Sequence, residues 1–413
     1  MTTLQAQTVP AHIHALDAHD PLRHKREEFV LPEGAIYLDG NSLGAMPRRV
    51  PARLSHVASQ EWGQQLIRSW TAQTRDDPAE AAQDWMALPD RVAAKVARLI
   101  GAGPHEVAVG DSTSVNTFKA LAAALSLAGE RRVILTDADN FPTDLYMAQG
   151  LGTLTGDLEL RRVPAADVAA NLTSDVGVLL LTEVDYRTGR RLDMAALSEQ
   201  ARAQGILTVW DLAHSAGAFA VDLNGCRADF AVGCGYKFLN GGPGAPAFLF
   251  VAERHHAAAP VVLSGWMGHA DPFEMARDYA PAPGARRFVV GTPQVLSLSA
   301  LDTALDVFAD VDLRDVREKS LSLGRTFMAL MEPLLSRFPL TLVTPTAEVE
   351  RGSQVSYRHP QAREVMAHLI AAGIIGDFRT PDILRFGLTP LYHSHADVWH
   401  AVQGIGAVLE ARA

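Results

Sequence analysis

A lysine in a glycine-rich segment is the residue of this sequence with the clearest chemical potential. Lys237 follows Tyr236 in the segment GCGYKFLNGGPGAPAFLFV. A lysine forms a Schiff base only as the neutral amine, and an apolar setting disfavours its charged form. An isolated lysine at the end of a strand would more often extend its ammonium group into solvent. Its interpretation therefore depends on the residues that the fold places beside it.

A carboxylate upstream is the first such residue. Asp211 ends the apolar run ILTVWD, and His214 follows three residues later. In doubly wound sheets, ligands bind beyond the carboxyl ends of the strands, where Asp211 and Lys237 would meet. A carboxylate beside a pyridine nitrogen keeps that nitrogen protonated and makes the ring an electron sink. Asp211 could equally be a helix N-cap, and a lone His214 is typical of a packed histidine.

Two further segments would complete a cofactor site. In GDSTSVNTFKALAAAL, the hydroxyl residues Thr113 and Ser114 open a helix whose N-terminus can bind a phosphate, although such residues are also ordinary caps. In FPTD, Phe141 follows an apolar run and could stack on a flat cofactor, although a lone aromatic there is usually part of the core. Each pattern is modest alone. Their order along the chain is the stronger indication of a pyridoxal-phosphate site.

These residues must be positioned by the elements around them, and those elements alternate between short apolar runs and helical patterns. Seven strands are predicted, in the segments EVAVG, RRVILTD, LELRRV, VGVLLLTEV, ILTVWDLAH, DFAVGCGYKF and PAFLFV. Several are apolar throughout, which is typical of strands buried on both faces of a mostly parallel α/β sheet. We predict a large domain at residues 60–287 and a smaller domain built from residues 1–59 and 288–413.

Helix boundaries follow from capping residues and periodicity. Asp20 and Pro21 predict the start of a short N-terminal helix. Apolar residues at helical spacing predict a second helix from about Gln83 to Ile100, which the following glycines end. A long helical run is predicted from Val295 to Phe338.

Composition narrows the class of function. The chain has 413 residues, of which 48% are hydrophobic and 20% charged, as in ordinary globular proteins. A net charge of -10 without a basic block argues against nucleic-acid binding, so a small-molecule substrate is expected. No segment has the apolar length of a membrane span or the pattern of a signal peptide, so we expect a cytoplasmic protein.

Metal and disulfide chemistry are not expected. Cys226 and Cys234 are the two cysteines, too few for a disulfide framework or a cysteine-built zinc site. The N-terminal histidines lack carboxylate or cysteine partners at a spacing that closes a metal site, so we interpret them as a solvated helix face. These histidines are His12, His14, His19 and His24.

The ordered motifs resemble the kynureninase family, fold-type-I pyridoxal-phosphate enzymes of the class V aminotransferase group. The motifs are YLDGNSLG, DSTSVNTFKAL, FPTD, DLAHSAGA, GCGYKFLNGGPGAPAF, GWMGH and GTPQVLS. The likeness runs from about residue 20 to about residue 400 and keeps the motif order. It implies a seven-stranded, mostly parallel sheet flanked by helices, a smaller α+β domain, and a homodimer with shared active sites.

The resemblance also implies a role for each matching residue. Lys237 would carry pyridoxal phosphate as a Schiff base, Asp211 would pair with its pyridine nitrogen, and Phe141 would stack on its ring. His214 would lie near the phenolic oxygen. The residues that would line the pocket or contact the phosphate are Asp144, Thr182, Thr113, Ser114, Tyr236, Trp266 and Thr292, the last two from a partner subunit.

Substrate-binding residues are implied in the same way. Arg385, in RFGLTPLY, would form a bidentate clamp on the substrate α-carboxylate, which a guanidinium fork fits well. Arg379 is close enough in sequence to compete for that role. Ser42 and Trp70 would approach the far end of the substrate.

The implied reaction is hydrolysis of the Cβ–Cγ bond of L-kynurenine to anthranilate and L-alanine in tryptophan degradation. Lys237 would move the α-proton, and Tyr236 would help to protonate the product. An aminotransferase would share the lysine, the aspartate and the arginine, and a non-catalytic binding protein could retain the fold. A cysteine desulfurase would need a mobile cysteine. The segment EWGQQLIRSW has Gly63 and no histidine to recognise a ring hydroxyl, which favours kynurenine over 3-hydroxykynurenine.

Overall fold

The protein is described by a computed structural model over residues 8–71 and 84–412. The strands are β1 Phe29–Val30, β2 Ile36–Tyr37, β3 Met46–Pro47, β4 Val107–Val109, β5 Val133–Asp137, β6 Glu159–Val163, β7 Val176–Thr182, β8 Leu207–Asp211, β9 Phe230–Gly233, β10 Phe248–Val251, β11 Thr341–Leu342, β12 Gln354–Arg358, β13 Ile374–Ile375, β14 Asp377–Arg379 and β15 Ile383–Gly387. The α-helices are α1 Ala11–Ala18, α2 Val50–His56, α3 Leu88–Leu99, α4 Thr113–Leu127, α5 Pro142–Thr155, α6 Met194–Ala203, α7 Val295–Leu305, α8 Leu313–Leu335, α9 Ala362–Ala371 and α10 His395–Glu410.

A seven-stranded sheet forms the centre of the larger part of the molecule, in the order β4-β10-β9-β8-β7-β5-β6. The pairs among β6, β5, β7, β8 and β9 are parallel, and β10 runs antiparallel to both of its neighbours. Each of the seven predicted strands is present, so the predicted mostly parallel α/β sheet is confirmed. The carboxyl ends of six strands therefore lie at one edge.

The apolar sequence of β7, an interior strand, explains why both faces of the sheet are covered. Along β7, Leu179 and Leu181 pack into one core with α3 and α7, while Val178 and Leu180 pack into another with α4 and α5. All four side chains are fully buried. Because side chains alternate between the faces of a strand, a continuous apolar run requires helices on both sides.

A second, smaller unit contains the four-stranded antiparallel sheet β11-β12-β15-β14 and its own core with α8, α9 and α10. The N-terminal segment joins it because β2 pairs in parallel with β13. Leu298 and Leu301 of α7 pack in the core of the large sheet, whereas Leu323 of α8 packs in the second core. We therefore propose that the boundary between the two units lies within α8, later than residue 287.

Some helix boundaries differ from the sequence prediction. The segment after Asp20 forms a 3-10 helix, Arg23–Glu28, and the N-terminal α-helix ends before it at Ala18. Asp20 instead accepts a hydrogen bond from the Leu22 N–H at 2.8 Å and forms a buried ion pair with Lys319 at 2.6 Å, which fixes a turn there. The predicted short helix after Asp20 is therefore present, but as a 3-10 helix that begins at Arg23 and not at Pro21.

The two longer predicted helical runs also need adjustment. The second predicted helix begins at Leu88, and its expected start at Gln83 lies outside the described residues. The long run after Val295 is divided by a 3-10 turn, Asp306–Phe308, into α7 and α8. Over residues 8–71 and 84–412, no helix combines the length and apolarity that crossing a membrane would require.

Candidate active site

A cavity of about 180 Å³ lies at the carboxyl-end edge of the large sheet. Nine residues selected from the sequence line it: Thr113, Ser114, Phe141, Asp144, Thr182, Asp211, His214, Tyr236 and Lys237. Three further lining residues, Thr143, Tyr186 and Ala213, were not selected from the sequence. The structure thus brings together residues that are up to 124 positions apart in the chain, from Thr113 to Lys237.

Strand ends and one close backbone approach position the central residues. Thr182 ends β7 and Asp211 ends β8, and the two are direct neighbours in the register of this pair. Lys237 lies in the turn after β9, and the Gly44 N–H donates to the Tyr236 carbonyl at 2.8 Å. A Cβ at Gly44 would lie 2.2 Å from the Lys237 carbonyl oxygen, so only glycine allows this approach. The NSLG motif therefore supports the lysine turn.

Two buried carboxylates face the lysine. Burial raises the pKa of Asp211, while the positive charge of Lys237 lowers it. Burial and the negative charge of Asp211 raise the pKa of Asp144 well above its usual value. The Asp211 Oδ1 atom accepts the Ala213 N–H at 2.8 Å, which fixes the orientation of the carboxylate. The charge of Lys237 thus favours the carboxylate form of Asp211, whereas burial and the charge of Asp211 favour the protonated form of Asp144.

His214 is held as the neutral imidazole. Burial lowers its pKa well below the usual value, and the positive charges of Lys237, Arg385 and Arg379 lower it further. Its Nδ1 atom is buried without a hydrogen-bond partner in the described part of the chain. A buried polar atom without a partner is costly, so this atom is suited to a ligand group.

Aromatic rings border the lysine on one side. The Lys237 Nζ atom lies 5.9 Å from the centre of the Phe141 ring and 5.9 Å from that of Tyr236. Phe141 and Tyr186 meet edge to face, with centroids 5.2 Å apart. Burial raises the pKa of Tyr236, so its phenol retains its proton at neutral pH. The rings form an apolar wall beside the amine.

The N-terminus of α4 also lines the cavity. Ser112 is the N-cap, and its hydroxyl accepts the Val115 N–H at 3.3 Å. The first N–H groups of a helix have no partner within it, and here they follow Ser112 directly. Thr113 and Ser114 add two hydroxyl groups that line the cavity. Such a terminus is a suitable site for an anionic group.

Arg385 lies beside the cavity, within hydrogen-bonding distance of one of the residues that line it. It is 1% exposed, and its guanidinium donates to the Tyr186 carbonyl at 2.9 Å and to Ser42 Oγ at 2.5 Å. Asp377, its partner across β14 and β15, accepts from it at 2.6 Å. Burial lowers the Arg385 pKa to about 10, which still leaves the group charged at neutral pH.

Arg379 shares this cluster. It pairs with the same Asp377 oxygen at 2.6 Å and donates to Ser42 Oγ at 3.3 Å. Asp39 lies 3.6 Å from Arg385, and burial raises its pKa to about 6. The sequence identified both arginines and Ser42, but it gave no signal for Asp377. Two cations and two carboxylates thus share one small space next to the cavity.

Besides Ser42 and the two arginines next to the cavity, three other residues selected from the sequence do not line it. Trp70 and Thr292 instead line a second, apolar cavity of about 410 Å³, where Trp70 packs edge to face on Trp85 at 5.4 Å. Trp266 is 38% exposed and packs against Phe273. Within a single chain, therefore, none of the three lines the cavity that contains Lys237.

The cysteines are not placed for nucleophilic chemistry. Cys234 is buried beside the strand end, and burial raises its pKa. Cys226 is half-buried in a different cavity, and burial raises its pKa to about 11. A reactive cysteine needs the opposite shift, toward the thiolate. The structure thus disfavours a desulfurase-type nucleophile at either position.

The N-terminal histidines are exposed, and the described residues contain no cluster of His, Cys, Asp and Glu side chains that could hold a metal ion.

The side chains in the main cavity fit pyridoxal phosphate. The desolvated Asp211 carboxylate suits a protonated pyridine nitrogen, and the unpartnered Nδ1 of His214 suits an oxygen substituent on the ring. Lys237 can bond to an aldehyde carbon, and the start of α4 suits a phosphate. Each polar group of the cofactor thus has a complementary group in the cavity.

Comparison with known proteins identifies close relatives. The family of the kynureninase C-terminal domain matches residues 316–405. The chain is 74% identical over 410 residues to the kynureninase of Deinococcus radiodurans, covering 99% of this chain and 98% of that protein. It is 50% identical over 405 residues to a kynureninase of Burkholderia mallei, covering 97% and 95% of the two chains.

Solved structures share the fold at low sequence identity. A cysteine desulfurase from Thermococcus onnurineus aligns with a TM-score of 0.78 and 18% identity, covering 98% of this chain and 99% of that one. A cysteine desulfurase of Escherichia coli aligns with a TM-score of 0.77 and 21% identity, covering 94% and 98%. A C-DES variant with glycine covalently linked to its pyridoxal-phosphate cofactor aligns at 0.75 and 17% identity, covering 92% and 98%.

Proposed function

The chain belongs to the kynureninase family, and on that premise we propose that its main cavity hydrolyses L-kynurenine with pyridoxal phosphate bound at Lys237. Water adds to the side-chain ketone carbon, the Cβ–Cγ bond breaks, and the products are anthranilate and L-alanine. The observation that carries the assignment of the site is the convergence of Lys237, Asp211 and the start of α4 on one cavity.

The cofactor is held at three points in this proposal. Lys237 bonds covalently to it, Asp211 pairs with its ring nitrogen, and Thr113 and Ser114 bind its phosphate. Phe141 lies against the ring. Two observations support this arrangement. Asp211 is buried and desolvated, and the centre of the Phe141 ring lies 5.9 Å from the lysine amine.

When bound, pyridoxal phosphate supplies an aldehyde for the substrate amine and a ring that withdraws electrons from the substrate carbons. The protein residues move and hold protons around it. Asp211 would keep a proton on the ring nitrogen, and the amine of Lys237 would take the α-proton of the substrate. Tyr236, protonated because burial raises its pKa, donates a proton to the carbon that becomes the methyl group of alanine.

Arg385 binds the substrate α-carboxylate in this proposal. Its burial and its fixed contacts with Ser42 and the Tyr186 carbonyl hold the guanidinium plane beside the cavity. Arg379 is more exposed and lies 6.0 Å from the Tyr186 ring, so it is the outer member of the pair. A guanidinium fork binds a carboxylate in two parallel hydrogen bonds.

We also propose a homodimer in which Trp266 and Thr292 reach the phosphate of the partner subunit. Both residues lie outside the cavity of their own chain, and large apolar side chains are exposed on and next to the second cavity. They include Trp62, Leu66, Ile67 and Leu296. A contiguous exposed apolar surface commonly marks a protein interface. Light scattering or analytical ultracentrifugation of the holoenzyme tests this proposal, and a monomer with full activity would contradict it.

Kynurenine is the proposed preferred substrate over its 3-hydroxy form. Recognition of an added hydroxyl requires a dedicated polar partner, and the segment EWGQQLIRSW has Gly63 and no histidine to supply one. The experiment is to compare kcat/KM of the purified holoenzyme for the two substrates. We expect the higher value for kynurenine. A clear preference for 3-hydroxykynurenine would refute the substrate choice, and turnover of neither compound would refute the function.

A further inference from the structure

A buried lysine on the helix that begins at the main cavity has no part in the proposed reaction. Lys119, on α4, is 3% exposed. Its ammonium donates to Asp111 Oδ2 at 2.5 Å, to the Phe288 carbonyl at 2.7 Å and to Asn116 Oδ1 at 3.2 Å. Three acceptors match the three N–H donors of a lysine. All three N–H donors of the Lys119 ammonium are therefore in hydrogen bonds, which fix its position.

The turn that this lysine holds leads directly to the proposed phosphate site. Asp111 has a left-handed φ of 55°, which is unfavourable for a residue other than glycine and costs about 1 kcal/mol or more. Its carbonyl accepts the Ala247 N–H at 3.0 Å, and its side chain is held by Lys119. Asn116 Nδ2 donates to the Gly110 carbonyl at 3.0 Å. These contacts fix the backbone immediately before the helix start.

The third contact of the lysine reaches a different segment. Phe288 ends the 3-10 helix Gly284–Phe288, and the Val290 carbonyl two residues later accepts the Met267 N–H at 3.4 Å. This segment continues to Thr292 and packs on the turn that carries Trp266. In the proposed dimer it serves the phosphate of the partner subunit. One buried ammonium therefore connects the two segments proposed to hold the two phosphates.

Charge gives the lysine a second effect. The Asp111 carboxylate lies in the turn that precedes Thr113, where it would repel a phosphate dianion unless it were neutralised. Lys119 pairs with it directly, with its ammonium 2.5 Å from the carboxylate. In a partly buried setting such a repulsion is screened much less than at the surface.

We propose that Lys119 is a positioning residue for the phosphate of the cofactor. It fixes the turn before α4 and cancels the charge of Asp111, without touching the cofactor itself. This inference rests on the proposed role of Thr113 and Ser114 as the phosphate site.

The test compares two cofactor forms on the full-length chain. Apoprotein carrying Lys119→Met is titrated with pyridoxal phosphate and with pyridoxal, which lacks the phosphate, and binding is followed by absorbance. We expect the Kd for pyridoxal phosphate to rise at least about tenfold, as for other residues that orient a ligand-binding group. The Kd for pyridoxal should stay unchanged. An equal loss of affinity for both compounds would overturn the inference.

A second variant pair separates this inference from the proposed function. Thr113→Ala combined with Ser114→Ala should remove much of the preference of the protein for pyridoxal phosphate over pyridoxal. If that preference is unaffected, the proposed phosphate site is wrong. If it falls while Lys119→Met leaves the preference intact, the phosphate site stands and the inference about Lys119 fails.

A matched control addresses the effect of removing any buried lysine. Lys319 is similarly buried and pairs with Asp20 at 2.6 Å, far along the chain from the cavity residues. Lys319→Met should lower stability without changing the ratio of the Kd for pyridoxal phosphate to the Kd for pyridoxal. If Lys119→Met does not fold, Asn116→Ala removes one ligand of the ammonium and should raise the ratio roughly threefold. An unchanged ratio in that variant would also overturn the inference.

Discussion

The two cavities of this chain differ in what they contain. The main cavity holds two buried carboxylates, an amine and an imidazole, and nine of the residues selected from the sequence line it. The second cavity, lined by Trp62, Trp70 and Trp85 with residues 292–297, is wider and mainly apolar. The first has the groups for chemistry on a cofactor ring within one chain. The second has the properties of a surface that another subunit covers.

In the proposed dimer, the contacts to the cofactor would come from two chains. Ring, amine and ring-nitrogen contacts all come from elements of the same large sheet, because parallel strands deliver their carboxyl ends to one edge. Trp266 and Thr292 come from segments that precede α7, and neither residue lines the main cavity of its own chain. Substitutions in the two cavities should therefore cause different losses of turnover and of cofactor affinity.

Removal of the lysine amine should cause the largest loss. Lys237→Ala eliminates both the covalent bond to the cofactor and the group that moves the α-proton. Because proton transfer alone contributes about 10²- to 10⁴-fold, turnover should fall by at least about 10³-fold. The absorbance band of the protein-bound Schiff base should disappear.

Lys95→Ala is the matched control for this prediction. Lys95 is a partly exposed lysine that pairs with Asp302 and Asp306 on the surface. Its replacement should leave both turnover and the absorbance band unchanged. A Lys237→Ala protein that keeps the band would show that another lysine carries the cofactor.

Asp211→Asn should cause the next largest loss. An amide cannot hold the ring nitrogen protonated, so turnover should fall about 10²- to 10³-fold, as when another electrostatic stabiliser is removed. Cofactor binding should largely persist because the lysine and the phosphate site remain. Steady-state kinetics and cofactor content measure the two effects separately.

The control for that variant is Asp229→Asn, also a largely buried carboxylate, which binds the Thr208 N–H at 2.8 Å and pairs with Arg254 at 2.7 Å. It should lower stability but leave turnover per bound cofactor unchanged. Equal turnover in Asp211→Asn and the wild type would contradict the role of Asp211.

Much of the main cavity could be predicted from sequence because its residues occupy strand ends. The apolar runs that end at Thr182 and Asp211 identify these two positions directly. Tyr186 was missed because it lies four residues beyond β7, in a turn whose direction the strand pattern does not determine. Asp377 was missed because its approach to Arg385 depends on the register of β14 and β15.

The domain boundary and the residues of the apolar cavity were harder to predict from the sequence, for a related reason. The helical pattern after Val295 is continuous in sequence, yet α7 and the start of α8, at Val316, pack in the core of the large sheet, while α8 from Leu323 onward packs in the core of the small one. Periodicity reports which face of a helix is buried, but it does not report which partner covers that face. The location of Trp70 and Thr292 in one cavity likewise follows only from packing.

Arg385 lies at the border between the large and small units. Arg385→Lys should raise KM by a smaller factor than Lys237→Ala and Asp211→Asn lower turnover. A lysine keeps the charge but loses the fork and one charge-assisted hydrogen bond, so KM for kynurenine should rise roughly 10- to 100-fold. The absorbance of bound cofactor should not change. Arg351→Lys, at a buried arginine that donates to the Thr346 carbonyl, is the control and should leave KM unaltered. A normal KM in Arg385→Lys would indicate Arg379 as the carboxylate ligand.

In the apolar cavity, Thr292→Ala should cause the smallest loss. It removes one neutral hydroxyl proposed to reach the phosphate of the partner subunit, so the Kd for pyridoxal phosphate should rise about 3- to 10-fold. Ser297→Ala is the control, because Ser297 lines the same cavity but its hydroxyl donates to the Gln294 carbonyl of its own chain at 3.2 Å. The contribution of Thr292 should also vanish when wild-type protein is diluted until the dimer dissociates. If Thr292→Ala weakens cofactor binding equally in dissociated subunits, its contact is made within one chain, and the contrast between the two cavities does not arise from dimerisation.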